Sequence, residues 1–164
     1  MDKKQLIGYI KDAFKDVSRE GIESLHETEM IDRCGTEDEI NKAKTLDHDR
    51  QWSEIPNSDL EDLASTLCSM NPISFRYYIP AYMVWSLKNY KTSDSLTANM
   101  TIEALELHDV EEVHDLHRAR FSLLDHDQSR AVALFLQFMV NNHEGCVDYS
   151  AAKKALSDYW QDLL

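Results

Sequence analysis

The stretch HDVEEVHDLHRAR, residues 108–120, holds the most enzyme-like chemistry in this 164-residue chain. Glu111, His114 and His117 recur every third residue, close enough on one helical face to offer an oxygen and two ring nitrogens to a metal ion. The set is incomplete by itself. A di-iron bundle needs a second helix bearing Glu-x-x-His and two more inward carboxylates, and no second such helix is expected here; a zincin needs H-E-x-x-H, which is absent. The spacing therefore reads as a structural helix, solvated or partly buried, and no cofactor is expected. Glu111, His114 and His117 remain the metal alternative. The tetrapeptide LDHD occurs twice, at 46–49 and 124–127. Paired carboxylates of that kind begin a calcium loop, but Trp52 and Arg130 stand where the loop requires glycine, and Ser58 and Leu136 where it requires a bidentate glutamate. Helix caps are the expected role. Nucleophile-elbow and phosphate-cradle motifs are missing their glycines.

A second stretch, SFRYYIPAYMVW at 74–85, places Arg76 among five aromatic rings. A guanidinium held there can stack on a ring and receive a carboxylate, from Glu27 or Asp94 or from a ligand. Glu27, Arg76, Tyr78, Tyr82 and Asp94 are thus the candidate binding residues, set against the simpler reading of a core helix with a structural ion pair. Helical packing spacing of Phe75, Tyr78, Ile79, Tyr82 and Trp85 favours the core.

The elements that would position these groups are all helical. Leu6, Ile10, Ala13, Phe14 and Val17 make a stripe of 3.6 period over 3–17. LHETEMIDRCG, from 25, closes on Gly35. Thr36 and Glu39 are spaced as a capping box, as are Ser58 and Glu61. Leu60, Leu63, Ala64, Leu67 and Cys68 form the cleanest amphipathic helix, which Asn71-Pro72 ends while capping the next. Between them, residues 47–59 read as a loop pinned by the Trp52 indole. The helix from Pro72 is apolar nearly all round, hence central, and Pro80 predicts a kink or two short helices. Further helices are expected at 97–105, 109–122, 127–142 with Asp127 as cap, and from Ser150 to the C-terminus. No strand alternation appears. The expectation is an all-α, single-domain bundle (1–164) of about 7 to 8 helices around a central aromatic helix. Its common interior would hold Leu63, Leu67, Phe75, Tyr82, Trp85, Leu134, Phe135, Phe138, Leu156 and Trp160.

Thirty Asp and Glu against 17 Lys and Arg give a formal charge of −13. A nucleic-acid backbone would be repelled, while a basic protein partner would be accommodated. No segment approaches the roughly 18 apolar residues of a membrane span, and the N-terminal text lacks a leader pattern, so a cytoplasmic protein without membrane contact is expected. Cys34, Cys68 and Cys146 form an odd set without C-x-x-C, against a disulfide framework or thiolate zinc site.

The blocks LHETEMID, WSEIP and FRYYIPAYMVWSLKNYKTSDS, in that order, resemble an uncharacterised family of small bacterial proteins of unknown function. The resemblance spans residues 6–105 and the segment 128–136. The stretch EALELHDVEEVHDLHRARFS departs from that pattern, so His114 and His117 gain nothing from it. What the resemblance implies is a single domain and a bacterial origin, not a mechanism. Two functions remain open: a non-enzymatic acidic protein-binding module, of the immunity or antitoxin kind, or a small-molecule or metal-dependent enzyme using Arg76 or His114 and His117.

Overall fold

A computed structural model describes residues 1–142, 145 and 147–164. Cys146, counted above among the free thiols, lies outside them. The described residues form ten α-helices and no strand: α1 (Lys3–Ala13), α2 (Leu25–Asp32), α3 (Glu37–Lys44), α4 (Asn57–Asp62), α5 (Thr66–Ser69), α6 (Pro72–Asn89), α7 (Thr97–Glu103), α8 (Glu111–Ser122), α9 (His126–Asn141) and α10 (Tyr149–Ala155).

α6 is the axis of the bundle, as its near-continuous apolar run requires. Every residue from Tyr77 to Leu87 is buried. α1, α4, α5, α7 and α8 pack around it, α9 lies against α1 and α10, and α2 pairs with α3. Pro80 does not divide it: α6 runs unbroken through the proline. The missing N–H costs the Arg76 carbonyl its helical donor, yet apolar burial on both sides of the proline holds the helix together. Of the ten expected core residues, Leu67, Phe75, Tyr82, Trp85, Phe135 and Trp160 are buried, while Leu63, Leu134, Phe138 and Leu156 are half-buried against the same cluster.

The amphipathic helix expected from 58 to 68 forms as two pieces. Pro56, not Ser58, precedes the first, so Ser58 and Glu61 lie inside α4 and make no capping box. Leu63 leaves helical geometry (φ −112°, ψ 36°). The break survives because side chains from other helices take the freed carbonyls. Thr97 Oγ1 donates to Leu60 O (3.1 Å), Tyr82 Oη to Leu63 O (2.7 Å), and Arg120 Nη2 and Nε to Cys68 O and Met70 O (both 2.8 Å).

Two other caps shift by two residues: Asp125 rather than Asp127 accepts from Gln128 N–H at the start of α9, and Asp148 rather than Ser150 accepts from Ala151 N–H at α10. The Thr36/Glu39 box and the Asn71 cap form as expected. Trp52 is buried and its indole donates to Phe14 O at 2.9 Å, which ties the loop expected at 47–59, whose last residues form the start of α4, to the end of α1.

Candidate functional site

The residues singled out in the sequence do not converge on one site. Arg76 meets neither Glu27 nor Asp94. Its Nε donates to Gln128 Oε1 (3.0 Å), its Nη2 lies 3.9 Å from Asp125, and 37 % of its side chain is exposed. Asp94 stands exposed in the loop after α6. Glu27 serves α2 itself, accepting from Ser24 N–H (2.9 Å) and from Lys44 Nζ (3.2 Å). Tyr78 accepts from Leu25 N–H (3.0 Å), and burial pushes its hydroxyl well above the usual phenol range. Tyr82 is committed to Leu63 O. Glu27, Tyr78 and Tyr82 thus hold backbone rather than ligand. The same logic completes the start of α2, where Ser74 Oγ accepts from Glu23 N–H and Asp47 from His26 N–H. Each otherwise free amide has found a side chain.

The proposed metal triad also separates. Glu111 is exposed, and His114 is half-exposed beside Asp115. His117 is buried, with Nδ1 against the Glu106 carbonyl and its ring edge-on to His108 and Phe121. Burial lowers its pKa to about 4, so it is a neutral packing residue. One turn further on lies the arginine that spacing did not reveal. Arg120 is fully buried over the Phe75 ring, bonded to the Cys68 and Met70 carbonyls, and has no carboxylate partner among the described residues. Burial lowers its pKa to about 10. Cys68 nearby is inert, its thiol raised by burial to about 12.

What the fold does assemble is two acidic clefts. The first, about 150 Å³, is lined by Asp47, His48, Asp49, Glu54 and Asp59 with Leu46 and Pro56. Its carboxylates are anchored. Asp49 accepts from Tyr77 Oη (2.7 Å) and Arg19 Nε (3.2 Å). Asp47 accepts from the His26 amide (3.0 Å) and lies 2.8 Å from its ring Nδ1. Both aspartate side chains are only 3–4 % exposed. Burial, and then the bond to Asp49, keep the Tyr77 hydroxyl protonated far above neutral pH. Thus LHETE, WSEIP and FRYY, far apart in the chain, meet at this loop.

The second cleft, about 380 Å³, is lined by Tyr9, Asp12, Ala13, Lys15, Asp16, Asp125 and Asp127. Asp125 and Asp127 sit at the positive end of the α9 dipole, where carboxylates are favoured. Asp12 and Asp16 lie in and just past the last turn of α1, where they are disfavoured. Both are exposed and neither has an ion pair among the described residues. Tyr9 Oη reaches Asp127 at 3.4 Å.

The fold is a small all-helical domain that carries two acidic clefts, with no assembled catalytic constellation among its described residues. The chain belongs to a family of unknown function, DUF6714, whose model matches residues 2–164. Comparisons with curated proteins and with solved structures return no match. Among the described residues no helix is long and apolar enough to cross a membrane.

Proposed function

We propose that this chain is a non-catalytic binding module that receives a basic protein partner on the cleft between α1 and α9, in the manner of an immunity or antitoxin protein. The observation that carries the reading is the placement of Asp12 and Asp16. They oppose the α1 dipole, lack a cationic partner among the described residues, and share a cleft with Asp125 and Asp127. Residues that break a local rule without internal compensation mark function. The cleft is wide and its carboxylates are spread, which suits lysine and arginine side chains presented by a protein surface. A chain of net charge −13 steers such a partner from a distance.

The test uses the full chain as bait in extract of its source organism, beside the double variant Asp12→Lys, Asp16→Lys. The expected result is a basic protein retained at low salt by the wild type, lost from the variant, and crosslinked to residues of α1 or the start of α9. Retention by both baits, or a crosslink confined to another face, would overturn the reading.

A further inference from the structure

We propose that His26, Asp47 and Asp59 form a binding site for one divalent transition-metal ion of the zinc or manganese class. The three belong to three chain segments: His26 to the first turn of α2, Asp47 to the loop after α3, and Asp59 to the first turn of α4. Each offers one ligand atom, and the three atoms lie within 4.8 Å of one another. Ligand atoms at about 2.1 Å around a tetrahedral ion stand about 3.4 Å apart. Side-chain rotations of about an ångström therefore bring the set to bonding distance.

The chemistry of the donors narrows the ion. One imidazole nitrogen with two carboxylate oxygens is a mixed set that suits zinc, manganese or iron(II), whereas calcium and magnesium are held by oxygen alone. The ring and the carboxylate are already oriented. His26 Nδ1 and Asp47 Oδ1 are 2.8 Å apart, while the other Asp47 oxygen takes the His26 backbone N–H at 3.0 Å and so cannot swing away. Among the described residues, the Asp59 carboxylate is held by Ser58 Oγ alone, at 3.2 Å, and can turn inward. Asp47 and Asp59 line the open cleft, so solvent can complete the coordination. No equivalent set forms in the wider cleft, nor from Glu111, His114 and His117, among the described residues.

The inference is independent of the partner reading, because it concerns the other cleft and is measured on the isolated chain. Zinc is titrated calorimetrically into chelator-treated full-length protein, and manganese broadening of backbone amide resonances locates the ion. One equivalent is expected, with broadening centred on residues 26, 47 and 59. His26→Gln and Asp59→Asn should each weaken binding by about tenfold or more, and His114→Gln should leave it unchanged. Should His26→Gln fold poorly by circular dichroism, Asp59→Asn decides alone, since among the described residues its carboxylate accepts a hydrogen bond from Ser58 alone. Absence of stoichiometric binding, or binding that survives Asp59→Asn, or loss in His114→Gln instead, would overturn the assignment.

Discussion

The two acidic clefts use the same side chain for opposite ends. Around Asp47 and Asp49 the carboxylates are buried and each already holds two donors, so the fold fixes where their oxygens point. Around Asp12 and Asp16 the carboxylates are exposed and no ion pair among the described residues holds them. Asp49, locked by an arginine and a tyrosine, orders the loop that also carries Asp47 of the compact ligand set. A carboxylate left free at the wrong end of a helix weakens the molecule slightly and keeps its charge for another. Local density of acid is therefore a poor guide to role, and the bonding of each oxygen is a good one.

The contrast is broken most directly at Asp49. Asp49→Ala removes the acceptor of both Tyr77 and Arg19 and should cost about 2 to 4 kcal/mol in urea unfolding, because bonds to a charged group are each worth about 1.5 to 3 kcal/mol. A loss below about 0.5 kcal/mol would show that the inner cleft is no more structural than the outer.

Acid should attack neither cleft first. His117, pKa about 4 when folded against 6.5 when free, binds fewer protons in the native state. Its contribution is complete above the unfolded value and is lost as pH falls from 6.5 towards 4, about 2 kcal/mol by about pH 5. His117→Gln should flatten that part of the pH–stability curve. An unchanged slope would move the acid sensitivity to the clefts.

Arg76 separates the clefts from the core. Half-exposed and bonded to Gln128, it should cost under about 1 kcal/mol when replaced by alanine, in the range of surface pairs. A melting-temperature loss as large as that of Arg120→Ala would restore Arg76 to the interior. The smallest effect belongs to Asp12→Asn and Asp16→Asn, which should be neutral or stabilising by about 0.3 to 1 kcal/mol, since each removes an unfavourable dipole interaction. Destabilisation by either would mean that the outer carboxylates also hold structure.

The helical class and the central place of α6 were legible in the sequence because burial repeats with the period of the helix, and α6 is apolar on every face. Local caps at Thr36 and Asn71 were legible too, since donor and acceptor lie within one turn. What escaped was tertiary. The pattern Leu60, Leu63, Ala64, Leu67, Cys68 is that of an unbroken helix, and the break at Leu63 depends on hydroxyls and a guanidinium supplied by Thr97, Tyr82 and Arg120. Arg120 reads as one more surface charge in HRAR until the carbonyls 50 and 52 residues away are set against it. Asp125 and Asp127 are equal candidates as cap in LDHD, and only backbone geometry chooses. The sequence pointed to metal ligands at one helical spacing, whereas the compact set draws on three segments joined by no local pattern.

The interrupted segment 57–70 has a consequence for how the chain reaches this state. Four of its carbonyls accept from side chains that lie 19 to 52 positions later, on three different helices. Until α6, α7 and α8 have docked, those bonds are unmade and the segment gains nothing by leaving a straight helix. The break is thus a late event, and it ties the segment to all three helices. Amide exchange in 57–70 should then require opening of the whole domain, and a fragment ending before α8 would straighten this segment rather than fold it.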